Sequence, residues 1–215
     1  MTRLSEDERL SRLAEPDRAF WGREGILLAG MDEVGRGPLA GPVVVCCAAM
    51  PETPLIRHVN DSKKVSEQRR EALYPELAQT SLGFSFGWVW PETIDEINIL
   101  QATRQAFRGA FLGMPITVSD VLVDAMRNLD IPARQHPLIH GDALSYSIAC
   151  ASILAKVTRD RYMLEQDALY PAYGFQRNKG YGTSEHILAL KQFGPCPIHR
   201  KSFIGKFLTG ASSSQ

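Results

Sequence analysis

This sequence of 215 residues predicts a single α/β domain built on a mixed β-sheet, and three observations lead there. Two apolar runs, 25–31 and 43–49, come first and have the composition of buried strands. Helical and strand patterns then alternate to the C-terminus. No internal repeat and no linker long enough to separate two domains interrupts them. The length supports a sizeable core, and hydrophobic residues at 44% with charged residues at 22% exclude wholesale disorder.

The opening segment, roughly 5–22, alternates charges with Leu10, Leu13, Ala14, Phe20 and Trp21 and reads as a short helix. Residues 25–31 form the first strand, which Gly35-Arg36-Gly37-Pro38 interrupts, since Gly and Pro punctuate regular structure. The second strand, 43–49, pairs with the first in the manner of a hairpin. A polar loop covers 59–64. Ser66 then suits the N-cap of a helix reaching 78. At 84–90 aromatic residues recur at every second position, the signature of a half-buried strand.

Pro91 opens a long helix to about Leu112, with Ile94, Ile97, Leu100, Ala106, Phe107 and Phe111 as its apolar stripe. Short strands are expected at 120–125 and 137–140. A second long helix is expected from Ser145 to about Leu169, and a last short one at 186–192. The expected organisation is an N-terminal helical extension (1–24), a main domain (25–205) ending in a short helical and loop appendage, and a flexible tail (206–215).

Charge is balanced overall, 24 basic against 24 acidic residues, but unevenly placed. Residues 171–215 carry six basic side chains and one acid, which is compatible with a polyanionic partner, or simply with a solvated basic face. The longest apolar run, 39–50, is broken by Gly41 and Pro42 and is too short to span a bilayer. The first 24 residues lack the apolar core of a secretory signal. Cys46, Cys47, Cys150 and Cys196 show no CxxC spacing, which excludes the common zinc patterns and suits reduced thiols in a cytoplasmic protein.

Acidic residues fall at three expected strand ends: Asp32 and Glu33, then Asp124, then Asp142. Carboxylates at strand ends sit at the rim of an α/β sheet, and four together repel one another unless divalent cations lie between them. Hard oxygen donors select Mg²⁺ or Mn²⁺, and a pair of such ions can clamp a phosphoryl group. Each acid alone also reads as a turn former or helix cap. Adjacent strand residues face opposite sides, so Asp32 and Glu33 share one site only through a bend or bulge, or if Glu33 acts through water or its main chain. Gly35-Arg36-Gly37 exposes main chain to a close ligand and adds a forked donor, or is a simple turn. Asn60-Asp61-Ser62-Lys63-Lys64 suits backbone phosphates, or is an exposed loop. Tyr181, between Gly180 and Gly182, is placed to stack on a base or sugar, or is a surface tyrosine in a turn.

Assembled, these residues resemble the ribonuclease HII family of the bacterial type. The resemblance rests on AGMDEVGRGPLAGPVV (29–44), NDSKKVSEQRR (60–70), DEINILQAT (95–103), VLVDA (121–125), GD with ASILAKVTRDRYM (141–163), YPAYGFQRNKGYGT (170–183) and GPCPIHRKSF (194–203). It implies a ribonuclease H-like fold and endonucleolytic cleavage of the RNA strand of RNA–DNA hybrids, and cleavage 5′ of ribonucleotides embedded in duplex DNA. The products implied are a 3′-hydroxyl and a 5′-phosphate, formed by a two-metal-ion mechanism with Mg²⁺ or Mn²⁺. It assigns Asp32, Glu33, Asp124 and Asp142 as metal-binding and catalytic. Gly35, Arg36 and Gly37 would read the ribose 2′-hydroxyl, Tyr181 would stack on the neighbouring sugar, and Lys63 and Arg36 would contact phosphate.

The basic residues of 177–201 would hold the flanking duplex, and the chain would act as a monomer. Two departures stand out: Asn178 where the family usually has His, and Ala125 where Gly is commoner. Asp142 separates the chain from ribonuclease HIII, which usually carries Glu there. The rival reading is a non-catalytic nucleic-acid-binding module on the same fold.

Overall fold

Every residue of β2 (Val43–Ala49) is buried, because this run of valines, cysteines and alanines has a paired strand on each side. β1 (Leu28–Val34) and β3 (Gly83–Val89) flank it, both antiparallel. β4 (Asp120–Asp124) joins β1 in parallel and β5 (Arg134–Leu138) joins β4 in parallel, so the sheet runs β3-β2-β1-β4-β5. The computed structural model describes residues 4–208, and these contain the mixed sheet that the sequence predicts.

Helices cover both faces of the sheet. α4 (Pro91–Leu112) lays Ile94, Ala106 and Phe107 on the face formed by Ala29, Met31, Val43 and Val45. On the opposite face, α6 (Tyr146–Leu169) and α3 (Glu67–Thr80) pack Ile153, Leu154, Leu73 and Leu77 against Cys46 and Ala48. Ser66 caps α3 and Ser145 caps α6, each hydroxyl accepting from a backbone N–H of the first turn at 3.3 Å. Gly30 lets α6 come close to β1: a Cβ there would lie 2.2 Å from the carbonyl carbon of Ser147.

The expected N-terminal helix is two helices, α1 (Glu6–Leu13) and α2 (Glu15–Arg18). The second starts with Pro16 in its first turn, where the missing N–H costs nothing. This segment belongs to the core: Leu10, Leu13 and Ala14 join the α6 side. Asp17 is fully buried and accepts from the N–H groups of Tyr146 and Ser147 at 3.0 and 2.9 Å. These are donors that the first turn of α6 leaves without helical partners.

Four further differences are local. The strand expected at 25–31 begins at Leu28 and continues to Val34, because antiparallel pairing to β2 extends it past the apolar run. The strand expected at 137–140 is Arg134–Leu138, ended by His140 at φ 58°. The long helix is bent at Asn98 (φ 69°), whose side-chain oxygen accepts from Leu100 and Gln101 N–H and restarts the helix. The tail expected from 206 begins inside the last helix, Lys201–Leu208, whose start is capped by Asp95 through the N–H groups of Lys201 and Ser202 at 2.7 and 2.9 Å. Residues 209–215 lie outside the described residues.

Candidate active site

Parallel pairing of β1 with β4 sets the site. Met31 pairs with Val123, so Asp32 and Asp124 follow side by side where the parallel pairing of the two strands ends. Asp142 arrives from beyond β5, on the short helix α5 (Gly141–Leu144) and not on a strand end as expected. The two elements are tied directly: Gly141 N–H donates to Asp124 Oδ1 at 2.7 Å. Glu33 reaches the same groove from the other side of β1. β1 keeps one-to-one register with β2 through Val34, so no bulge re-aims it.

The groove encloses about 250 Å³ and is lined by Asp32, Glu33, the 35–37 loop, Lys63 and Tyr181, among others. Asp124 and Asp142 are not lining residues but lie next to the groove: Lys63 Nζ is 3.1 Å from Asp142 Oδ2, and the Gly141 N–H ties the helix that carries Asp142 to Asp124.

The electrostatics are those of crowded carboxylates. Burial pushes the Asp32 carboxyl well above its ordinary range, and the charges of Glu33, Asp124 and Asp142 push it further. Burial also raises Glu33, against an opposing hydrogen bond from Arg36 at 3.1 Å. Burial raises Asp124 too, against the Gly141 N–H, with Asp142 adding repulsion. Lys63 moves upward: burial lowers it, but hydrogen bonding and charge from Asp142 and Asp32 outweigh that.

Hard anionic oxygens, two carboxylates side by side and a buried Glu33 Oε2 without a hydrogen-bond partner all fit divalent cations. Among the described residues no three such side chains already surround one point as a cage. Lys63 and Arg36 hold two of the four carboxylates by ion pairs, so loading would exchange these cations for metal.

Sequence reasoning missed Arg70, Ser152 and Lys156, which line the groove beside Ser62. Ser152 Oγ donates to Ser62 Oγ at 2.8 Å, and Lys156 Nζ to Asp160 Oδ1 at 2.7 Å. Part of the signal was present: Ser152, Lys156 and Asp160 form an i, i+4, i+8 polar stripe along α6. Arg200, expected on the duplex face, is fully buried because main-chain carbonyls consume its guanidinium.

Tyr181 is 42% exposed and faces Gly37. Asn178 lies inside, not in the groove: its amide bridges Tyr173 O at 2.7 Å and Gly180 N–H at 2.8 Å, holding the turn that presents Tyr181. The Tyr181 carbonyl accepts from His186 Nδ1 at 2.9 Å, while His186 Nε2 meets His199 Nε2 at 2.9 Å. Burial lowers both imidazoles, His199 to about 4, which keeps this pair neutral.

Ala125, directly after Asp124, has φ 50°, a left-handed conformation that a Cβ disfavours by about 1 kcal/mol. This is the physical reason for glycine at such a position. Ala125→Gly is therefore expected to raise stability by about 0.5 kcal/mol or less, net of the greater freedom of the unfolded glycine chain. Urea unfolding checks it, and a loss of stability would show that the strain is absent.

The family model described as Ribonuclease HII matches residues 29–206. The chain is 48% identical over 203 residues to a ribonuclease HII of Ruminiclostridium cellulolyticum, covering 94% of this chain and 80% of the relative. Its fold is similar to that of the ribonuclease H2 from Pyrococcus horikoshii OT3, with a TM-score of 0.73, 28% identity, and 88% of this chain and 100% of that one covered. It is also similar in fold to a Bst-RNase HIII in complex with Mn2+, with a TM-score of 0.67, 15% identity, and coverage of 99% and 75%. A family model that spans most of the chain, together with a relative nearly half identical, makes this protein a member of the ribonuclease HII family of endonucleases.

Proposed function

We propose that the chain hydrolyses the RNA strand of RNA–DNA hybrids and cuts 5′ of single ribonucleotides embedded in duplex DNA, leaving a 3′-hydroxyl and a 5′-phosphate. The observation that carries this reading is the carboxylate groove with the 35–37 loop and Tyr181 on its rim. Asp32, Glu33, Asp124 and Asp142 would hold two Mg²⁺ or Mn²⁺ ions. Such ions lower the pKa of water and neutralise charge at the leaving oxygen.

The chain's own residues do the rest. Asp32 and Asp124, fixed by strand pairing, anchor the donor set with little reorganisation. Lys63 and Arg36, both reaching solvent, shift from carboxylate to substrate phosphate when cations load. The 35–37 loop meets the ribose 2′-hydroxyl, the atom that separates RNA from DNA. Tyr181 stacks on the neighbouring sugar. Lys191 and Lys201 remain exposed for the flanking duplex, whereas Arg177 and Lys179 are paired with Glu185 and Glu67.

No described helix is long and apolar enough to cross a membrane. The four free cysteines suit a reducing cytoplasm, where we place the protein as a monomer.

A 5′-labelled DNA duplex with one ribonucleotide tests the reading. Cleavage is expected at the ribonucleotide with Mg²⁺ or Mn²⁺, to stop with chelator, and to spare an all-DNA duplex that still binds. Binding without cleavage would instead support the non-catalytic module, and comparable cutting of all-DNA would remove the role given to the 35–37 loop.

A further inference from the structure

Arg159 and Arg200 are both fully buried, and neither makes a salt bridge among the described residues. Their hydrogen bonds go to main-chain carbonyls. Arg200 donates to Gly35 O at 2.6 Å, Arg36 O at 3.0 Å and Gly41 O at 2.9 Å. Arg159 donates to Pro42 O at 3.0 Å, Ala40 O at 3.1 Å and Lys179 O at 3.0 Å. Two neighbouring guanidinium groups without a counter-charge are costly to bury, so packing alone does not account for them. What they share is a grip on the carbonyl side of the 35–42 loop.

That grip has a stereochemical consequence. In a trans peptide the C=O and the following N–H point in opposite directions. With Gly35 O and Arg36 O drawn inward to Arg200, the N–H groups of Arg36 and Gly37 are turned outward, on the side where the 35–37 loop lines the groove. Among the described residues neither N–H donates to a protein acceptor. Gly35 makes the arrangement possible: its φ is +91°, and a Cβ there would lie 2.4 Å from Arg159 Nε.

We propose that Arg200, with Arg159 bracing the 40–42 end of the same loop, is a positioning residue that holds the Arg36 and Gly37 N–H groups toward the ribose 2′-hydroxyl, so that the enzyme's choice of a ribonucleotide depends on a buried clamp that never touches substrate. The proposal rests on the reading of the 35–37 loop given above. It requires the fork of the guanidinium and not merely its charge, since one ammonium cannot span three carbonyls in a fixed geometry.

The test compares wild type with Arg200→Lys and Arg159→Lys, after melting curves show that each is folded. Two duplexes are used, identical except for one 2′-hydroxyl: the ribonucleotide duplex as substrate, and the all-DNA duplex as competitive inhibitor. Arg200→Lys is expected to lower kcat on the ribonucleotide duplex by about 100-fold, the scale of a misplaced contact. The inhibition constant of the all-DNA duplex should stay within about threefold. A merely structural role would weaken both together. Amide deuterium exchange across 35–41 should quicken in the same variant, and millimolar guanidinium should partly restore kcat to Arg200→Ala.

Unchanged kcat with unchanged exchange in the folded lysine variants overturns the clamp. If either lysine variant fails to fold, absence of guanidinium rescue in Arg200→Ala overturns it. If wild-type enzyme shows no ribonucleotide-dependent cleavage, the proposed function falls instead, and the exchange result alone then decides whether the loop is clamped.

Discussion

Asp32→Asn is expected to reduce cleavage by about 1000-fold or more, since it removes charge from the centre of the carboxylate set. The same substitution is expected to stabilise the metal-free protein by about 1 kcal/mol, the usual exchange of stability for a functional charge. Asp32 is 5% exposed, and its proton affinity is raised by burial and by three neighbouring carboxylates. Asn keeps its shape and its acceptor for the Glu33 N–H, which lies 2.8 Å from Oδ1.

The pH dependence follows in sign. A carboxyl whose folded pKa lies above its unfolded value holds its proton more tightly when folded. Its contribution to stability is fully present below the ordinary value of 3.8 and is lost as pH rises through the raised one. The advantage of Asn should therefore grow with pH across that window and then level off. Thermal melts in chelator at several pH values, with cleavage assays at saturating Mg²⁺, check both halves. Near-normal turnover would sink the assignment of Asp32. A lower melting point at neutral pH would show that the four carboxylates do not strain the fold.

The second large effect concerns the fold that carries the site. Gly30→Ala would place a methyl 2.2 Å from the Ser147 carbonyl carbon and 2.3 Å from Ile148 N. Both atoms are main chain, so no side chain can swing away, and β1 and α6 must separate. A loss of about 3 kcal/mol or more is expected, at the upper end of overpacking effects. Cleavage should fall with it, because the displaced start of α6 lies next to α5 and Asp142.

Gly205→Ala is the control of opposite sign. It lies in the Lys201–Leu208 helix with open space around its missing Cβ, and alanine there should stabilise by about 0.5–1 kcal/mol. Urea unfolding of the two variants reads both signs. A wild-type midpoint for Gly30→Ala would contradict the close packing of β1 on α6.

Where chemistry and local pattern coincide, the sequence was informative. The valines of 43–45 and the apolar residues that follow announce a strand paired with the first, and β2 forms there antiparallel to β1. Asp124 ends an apolar strand in both readings. Ser66 and Ser145 cap the helices that they were expected to start. Misplacements occurred where a long-range partner decides a local boundary. Asp32 and Glu33 lie inside β1 because β2 continues to pair with them, although their polarity suggested that the strand had ended. Asn98 bends α4 because its side chain serves as a cap in mid-helix.

The residue types of the site were therefore legible in the chain: four hard anionic donors, a glycine-flanked arginine, a lysine pair and a tyrosine between glycines. Their convergence was not. Asp32 and Asp124 meet because β1 and β4 are parallel neighbours, and Asp142 reaches them through a turn whose N–H binds Asp124. Arg200 reads as surface charge from composition alone, and only the packed structure shows it buried against the carbonyls of Gly35, Arg36 and Gly41. The physical reason is common to both cases. Charge and hydrogen-bonding capacity belong to the residue and can be read from its letter, whereas desolvation and direction depend on what the fold places around it.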